Sequence, residues 1–150
     1  MGQRSAELVS AIMTRVTSRD TTPELALRRA LWRRGLRYRV HVKGMPGKPD
    51  IVFASARTTV FIDGDFWHGN QWKLRGFPTL EAQFAGVSNR NYWIAKVTRN
   101  IRRDEEVTRQ LHEQGWHVVR VWESELNRDL QGCVARITRQ MQGVHEENVR

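Results

Sequence analysis

Two aspartates stand at the ends of neighbouring apolar segments in a way that suits a metal site. Asp50 opens DIVFA, and Asp63, 13 residues later, closes TTVFID. If these segments are adjacent antiparallel strands joined by a short turn, both carboxylates lie at one end of a sheet. They repel each other there unless a divalent cation holds them, and Mg²⁺ fits because it takes oxygen ligands and keeps several waters. Glu24, in the first turn of a preceding helix, is expected to supply a third carboxylate.

A cation in that position activates a water molecule and stabilises a phosphoryl oxygen. Each carboxylate also has a purely structural explanation. Asp50 follows a proline, which fits a simple turn, and Asp63 precedes a glycine, a pair common in hairpins. The helix dipole alone favours Glu24 in a first turn. The three residues together, on a strongly basic chain, favour the metal site, and Asp65 has a weaker claim as a supporting group.

The residues after Asp63 add an imidazole and two large rings, in the order Phe66, Trp67, His68. Histidine titrates near neutral pH, so His68 is predicted to be a general acid or base for metal-assisted hydrolysis. The alternative is an ordinary surface histidine. Phe66 and Trp67 at the tip of a loop suit a wedge that enters between the base steps of DNA. The alternative is that one or both of these rings cap the core.

Charge points to a polyanionic partner, because the 150-residue chain carries a formal net charge of +9. Nucleic acid is favoured over a membrane surface, since no basic helix with a clean apolar face stands out. No stretch approaches the ~20 apolar residues of a membrane span, and the first residues lack a signal-peptide pattern. The single cysteine, Cys133, excludes an intramolecular disulfide and a cysteine-rich zinc cluster. A cytoplasmic location is expected.

The elements that position these groups follow the order α-β-β-β-α-β-α. TPELALRRALWRRG predicts a helix with Thr22 as its cap, and RYRVHV alternates as a half-buried strand would. DIVFA and TTVFID complete a meander, a helix covers about Tyr92–Gln114, WHVVRVWE is a buried strand, and a last helix covers about Ser124–Met141. We therefore predict a single α/β domain in which helices flank a mixed four-stranded sheet. A basic arm with a short helix (1–18) precedes this domain (19–142), and a frayed tail (143–150) follows it.

Four segments occur in an order that resembles the very-short-patch mismatch repair endonucleases: SRDTTPE, GMPGKPDIVF, VFIDGDFWHG and NIRRDEEVTRQLHEQGWHVVRVWE. The resemblance covers about Thr17–Glu125. It implies the PD-(D/E)xK nuclease fold, which is restriction-endonuclease-like, with residues 19–142 as the endonuclease domain. It also implies a strand-specific nick beside a T:G mismatch in double-stranded DNA.

The same resemblance implies roles for individual residues. Asp50 matches the principal metal-binding aspartate, Asp104 an aspartate that contacts metal-bound water, and His68 the catalytic histidine. The expected catalytic residues are Asp50, Asp63, His68, Glu24 and Asp104, and Asp50 and Asp63 are expected to bind one or two Mg²⁺ ions. The residues expected to contact DNA are the wedge pair Phe66 and Trp67 and the basic residues Lys48, Arg19, Arg99, Arg102 and Arg103.

The chain departs from the family pattern in three ways. Asp63 stands where the best-known pattern has histidine, so we expect direct or water-mediated metal binding there. The positions that match the structural zinc ligands hold no cysteine or histidine, so no structural zinc is expected, and packing by Trp72 is expected to replace it. The usual lysine of the nuclease fold is replaced by Asp65, and His68 is expected to take its role. The four positions that match the zinc ligands are Asp65, Asn70, Trp72 and Ser124.

Two other functions remain open from the sequence. One is a restriction or phage-defence nickase that reads a specific sequence or modified DNA, which the loss of the zinc ligands beside the wedge favours. The other is a non-catalytic DNA-binding module, against which the intact set of acidic residues and His68 argues. As partners we expect double-stranded DNA and downstream repair proteins. A monomer associated with the nucleoid of a bacterial-type cell is also expected.

Overall fold

The computed structural model describes the backbone of residues 20–148 and the side chains of residues 20–143. The predicted arm, residues 1–18, and Arg19 lie outside the described residues. The helices and strands, in chain order, are α1 Thr22–Arg33, β1 Ile51–Phe53, β2 Thr58–Asp63, α2 Gln71–Leu74, α3 Leu80–Gln83, α4 Arg90–Glu113, β3 His117–Trp122, α5 Glu123–Arg128 and α6 Leu130–Asn148.

Helix α1 begins one residue earlier than the sequence suggested. Its cap is Thr21, not Thr22, and the Thr21 hydroxyl accepts a hydrogen bond from the Glu24 backbone N–H at 3.4 Å. Capping satisfies one of the backbone donors that a helix start leaves unpaired. Leu27 and Leu31, one turn apart, are fully buried. This end of α1 therefore fixes Glu24 in the first turn.

The sheet is mixed and flanked by helices, as predicted, but it has three strands among the described residues instead of four. β1 pairs antiparallel with β2, and β2 pairs parallel with β3. The segment RYRVHV makes only a single bridge, in which Arg39 and Val52 exchange backbone hydrogen bonds at 2.9 Å. His41 has φ = +56°, a left-handed conformation that no strand residue adopts. The alternating pattern was real, but this backbone turn ends the pairing after one bridge, so the predicted fourth strand is wrong.

The described residues divide into two compact units by their contacts. We call residues 20–64 with 105–148 the sheet unit, and residues 65–104 the aromatic unit. In the sheet unit both faces of the sheet are covered, because successive side chains of a strand point to opposite faces. Val60 and Val121 pack with Leu27 of α1 and with residues of α5 and α6. Phe61 points the other way and packs with Val107 and Leu111, from the part of α4 in this unit.

The aromatic unit has its own small core of Phe66, Phe84 and Val97. The loop before α2 approaches α4 closely at Gly69, which has φ = +76°. A Cβ atom on Gly69 would lie 2.5 Å from Ile101 Cδ1. Both the left-handed backbone and the close approach favour glycine at this position.

The C-terminal helical segment differs in two ways from the single predicted helix. It is split at Asp129, whose side chain accepts a hydrogen bond from the Gly132 backbone N–H at 3.0 Å, and α6 continues to Asn148. No helix in the described part of the chain is both long and apolar enough to cross a membrane.

Gly69→Ala should lower the free energy of unfolding by about 1–3 kcal/mol more than Gly76→Ala, because the added methyl group meets Ile101. Gly76 is a matched control, since it has the same φ of +76° and its Cβ would meet nothing within 4 Å. Both variants therefore carry the same backbone cost. Urea denaturation of the two variants measures the difference, and equal losses would show that the loop does not press against α4.

Candidate active site

Asp50 is fixed beside the end of β2 by two hydrogen bonds. Its backbone N–H donates to the Val60 carbonyl at 3.0 Å, and its Oδ2 accepts from the Ile62 N–H at 2.7 Å. The antiparallel pairing of β1 with β2 thus brings Asp50 to the end of the strand that Asp63 closes. The spacing argument from the sequence anticipated this placement. What the pattern did not show is that one oxygen of Asp50 is held by the sheet backbone.

The pKa of the Asp50 carboxyl is raised to about 7, mainly because burial removes water from the charged form. The nearby negative charges of Glu24 and Asp63 raise it further, while the hydrogen bond from Ile62 and the charge of Arg28 oppose the shift. A buried carboxyl among other carboxyls is costly to ionise without a cation. This donor set therefore fits a hard divalent ion such as Mg²⁺.

Glu24 is buried, with only 3% of its surface exposed, and it is held by Arg28 one turn later in α1. The Arg28 guanidinium donates to the Glu24 carboxylate and also to Asp20 Oδ1, the latter at 2.8 Å. Asp20 adopts φ = +55°, an uncommon conformation for a residue with a side chain. Sequence reasoning did not single out Arg28, although an arginine four residues after a glutamate is a recognisable helix pair.

Asp63 is buried and paired with Arg120 of β3. Arg120 Nη1 lies 3.1 Å from both Asp63 oxygens, and its Nε donates to Thr108 Oγ1 at 3.0 Å. The guanidinium also lies over the Phe61 ring, with 4.2 Å between Cζ and the ring centroid. Arg120 was missed at the sequence level. The available signal was an arginine between valines in an otherwise apolar strand, which calls for a buried acidic partner.

His68 and Asp104 form a pair within the aromatic unit, in which His68 Nδ1 meets Asp104 Oδ2. A carboxylate at Nδ1 orients the ring and selects the tautomer in which Nε2 is the proton acceptor. The resemblance predicted separate roles for these two residues. The structure joins them in a pair of the kind that serves general base catalysis.

The two wedge residues have different environments. Phe66 is buried and meets Phe84 edge to face, with 5.8 Å between ring centroids, as the core-capping alternative proposed. Trp67 is half-buried, and its backbone carbonyl accepts from Asn100 Nδ2 at 3.2 Å. Lys96 Nζ lies 4.8 Å from the Trp67 ring centroid.

The aromatic surface also includes residues that sequence reasoning did not name. Trp93 lies 6.3 Å from Trp67 between ring centroids, and the neighbouring Tyr92 is 51% exposed. The aromatic pair in RNYWIAK, on the basic helix α4, was the signal for them. Of the basic residues expected to contact DNA, those that the structure describes are exposed, as such contacts require: Lys48, Arg99, Arg102 and Arg103.

Polar bonding holds the segment where the resemblance placed zinc ligands. Asn70 is buried and its Nδ2 donates to Asp65 Oδ1 at 2.8 Å. Trp72 is only half-buried, and Lys73 lies over its ring at 5.3 Å. The expectation that Trp72 packs in place of the ion is therefore wrong. Ser124 is half-buried in α5.

Comparison with known proteins adds the family. The sequence model of the family described as DNA mismatch endonuclease Vsr matches residues 4–74. The Type II nicking enzyme V.NmeDIP of Neisseria meningitidis serogroup C is 44% identical over 120 residues, which cover 80% of this chain and 76% of that protein. The chain belongs to the Vsr family. It is therefore a DNA endonuclease, and the alternative of a non-catalytic DNA-binding module is set aside.

Two further Vsr relatives are named for different activities, one as a nicking enzyme and one as a mismatch endonuclease. The Type II nicking enzyme V.XorIIP of Xanthomonas oryzae pv. oryzae is 39% identical over 126 residues, which cover 84% of this chain and 86% of that protein. The DNA mismatch endonuclease Vsr of Escherichia coli K12 is 34% identical over 114 residues, which cover 76% of this chain and 68% of that protein.

If Asp50 is a ligand of Mg²⁺, its raised pKa predicts how the affinity for the ion depends on pH. Below pH 7 the ion must displace a proton, so its apparent dissociation constant should rise about tenfold for each pH unit below 7 and level off above it. A Mg²⁺ titration followed by tryptophan fluorescence measures this, with Asp50→Asn as the control. A constant affinity between pH 5.5 and 7 would contradict the assignment.

The same shift affects stability without metal. The folded-state pKa lies above the ordinary 3.8, so the folded protein binds more protons than the unfolded chain between pH 4 and 7. The contribution of Asp50 to the free energy of unfolding therefore falls as the pH rises through that window. Urea denaturation in a chelator should show this fall in the wild type and not in Asp50→Asn.

Proposed function

We propose that this Vsr-family endonuclease is a Mg²⁺-dependent enzyme that nicks one strand of double-stranded DNA beside a T:G mismatch. The observation that carries the proposal is the group of three carboxyls in which the buried Glu24 and Asp63 lie near Asp50. Burial, with the like charges of Glu24 and Asp63, raises the pKa of Asp50 to about 7, which makes the group a poor structural element and a good cation site. The net charge of +9 suits a DNA substrate.

Asp50 and Asp63 are the proposed ligands of the ion, and Glu24 is the proposed third acidic group. A bound Mg²⁺ would supply Lewis-acid activation of water and of a phosphoryl oxygen. The chain's own contribution is to hold these carboxyls in place, through the Ile62 N–H at Asp50 and through Arg28 at Glu24. Arg120 balances the charge of Asp63. Metal binding would shift that balance without leaving Asp63 uncompensated.

His68 is the proposed general base, with Asp104 orienting it. Hydrolysis requires a water molecule to lose a proton as its oxygen bonds to phosphorus. The P–O bond to the leaving sugar oxygen breaks, and that oxygen takes a proton from solvent. His68 Nε2 can take that proton because Nδ1 is turned to Asp104. Only four residues lie between Asp63 and His68. Chain connectivity alone keeps their Cα atoms within about 18 Å, which supports the proposal that both act on one phosphodiester.

Trp67 is the proposed contact to the mismatched base pair. A half-buried ring with Lys96 near its face can stack on a base while the lysine approaches a phosphate. Phe66 supports that ring from the core, with 5.7 Å between the two ring centroids. A weakly stacked mismatch costs less to open than a matched pair, which favours wedging at T:G.

The second candidate function is nicking in the service of a restriction system, at a specific sequence or at modified DNA. It is favoured by the relatives named Type II nicking enzymes, two of which share 44% and 39% identity with this chain. It uses the same chemistry. It differs only in the substrate that the aromatic unit and the N-terminal residues select.

Asp50→Asn should lower the nicking rate by at least about a thousandfold and leave DNA affinity within about threefold, because it removes a ligand and not a DNA contact. The assay uses labelled duplexes that are matched, T:G mismatched or cytosine-methylated, in Mg²⁺. Glu81→Gln, an exposed acidic residue of α3, is the control.

The choice of duplex decides between the two functions. A single nick beside the mismatched T supports repair, and faster cutting of matched or methylated duplex supports restriction. Unchanged nicking by Asp50→Asn would remove the metal-site assignment in either case.

Trp67→Ala should reduce discrimination between T:G and matched duplex by about 10-fold, because base stacking on an aromatic ring is worth about 1–3 kcal/mol. Affinity for matched duplex should change less than about threefold. Trp32→Ala is the control, since Trp32 is an exposed tryptophan of α1 that stacks on Arg37. Competition binding with both duplexes measures the ratio, and unchanged discrimination would exclude the wedge role.

A further inference from the structure

The loop that carries Trp67 and His68 is closed at its base by hydrogen bonds to Asp65, two of them from Asn70. The Asp65 carbonyl accepts hydrogen bonds from the Asn70 N–H at 2.8 Å and the Gln71 N–H at 3.0 Å. The Asn70 side chain adds a third bond, from Nδ2 to Asp65 Oδ1 at 2.8 Å. Residues 65 and 70 are therefore joined through both backbone and side chain, and the four residues between them form the loop.

The orientation of the Asn70 side chain is the informative detail. Asn70 precedes α2 at the position where asparagine commonly caps a helix by accepting from the next backbone N–H groups. Here its side chain makes no cap hydrogen bond. Asn70 is buried, with 8% of its surface exposed. Its side chain turns back and donates to the Asp65 carboxylate. A buried hydrogen bond to a charged acceptor is stronger than the neutral cap bond that it replaces.

A pair of side-chain amides, Gln83 and Gln71, fixes α2 from the other side. Gln83 is buried in α3, and its Nε2 donates to Gln71 Oε1 at 2.7 Å. Gln71 directly follows Asn70, so the end of the loop is tied both to its own start and to the next helix. Side-chain amides thus hold a segment that has little apolar packing, since no residue of α2 is buried.

The far side of the loop is held by α4. Asn100 donates to the Trp67 carbonyl, and Gly69 lies against Ile101. His68 meets Asp104 on the same helix. With both sides held, a small change at the base of the loop must rotate Trp67 and His68 together, because only Gly69 lies between His68 and Asn70.

We propose that Asn70 is a positioning residue, which sets the orientation of Trp67 and His68 by closing the loop onto Asp65 without any metal ion. Its consequences for catalysis rest on the proposed function. Its consequences for loop structure do not. This separation allows the two proposals to fail independently.

The first test is hydrogen–deuterium exchange of the free protein. In Asn70→Ala the amides of residues 67–71 should exchange at least about 10-fold faster than in wild type, because the loop opens more often. Asn91→Ala, which removes an exposed amide from α4, is the matched control and should change nothing in this segment. A chelator added to the wild type should leave the exchange unchanged. Equal exchange in the two variants, or faster exchange with chelator, would overturn the proposal.

The second test reverses the pair. Asn70→Asp places two carboxylates together and should open the loop further, while Asp65→Asn/Asn70→Asp restores one amide donor and one carboxylate acceptor. The double variant should exchange within about threefold of the wild type. If it exchanges as fast as Asn70→Asp, the side-chain bond does not close the loop. This comparison also serves if Asn70→Ala fails to fold.

The kinetic test uses the duplex that the wild type nicks fastest. Asn70→Ala should lower kcat at least about 10-fold with KM within about threefold. The substitution displaces the general base His68 and the wedge residue Trp67, but it removes no contact to a phosphate. A change in KM alone, or a loss no larger than in Asn91→Ala, would contradict the positioning role. If the wild type nicks no duplex while the exchange results hold, the proposed function fails and the loop assignment stands.

Discussion

The pairing of β1 with β2 is the constraint on which the site depends. It places the Asp50 carboxyl where it accepts a hydrogen bond from the Ile62 N–H and lies near the carboxyls of Glu24 and Asp63. Strand pairing is strongly specified when both faces of a sheet are buried, since a slip by one residue moves every side chain to the wrong face. Val60 and Phe61 point to opposite, covered faces, so the register is fixed, and with it the position of Asp50. Packing of the core therefore offsets the free-energy cost of holding the Asp50 carboxyl in this position.

Arginines keep the remaining carboxyls compatible with the fold. Glu24 is paired with Arg28 and Asp63 with Arg120, while Asp50 is the one whose pKa is raised to about 7. An unpaired buried charge is far more costly than a paired one. Because the two ion pairs offset the charges of Glu24 and Asp63, the remaining cost of ionisation falls mainly on Asp50. In the proposed function a divalent ion relieves this cost at Asp50, which links the stability of the protein to its chemistry.

The aromatic unit solves a different problem, which is to present a large ring and an imidazole on a short loop. Phe66 anchors the loop in a small core, whereas Trp67 remains half-exposed. The loop is fixed by directional bonds at Asp65, Asn70 and Asn100. Directional bonds suit this task because they define an orientation, which apolar contact alone does not. A fixed orientation of these side chains suits an endonuclease of the Vsr family, which acts on DNA.

The sequence by itself determined the local elements and the acidic pair. Three features are readable within short windows, because they rest on periodicity and spacing. They are the two apolar strands with aspartates 13 residues apart, the capped helix with Glu24, and the run from Phe66 to His68. Only the tertiary structure decided that Arg37–Val42 does not form a fourth strand, that Phe66 is buried, and that Asn70 turns away from its helix. It also decided the partner of Asp63, which is Arg120, 57 residues further along the chain. Such choices depend on which distant segments meet, and no local pattern carries that information.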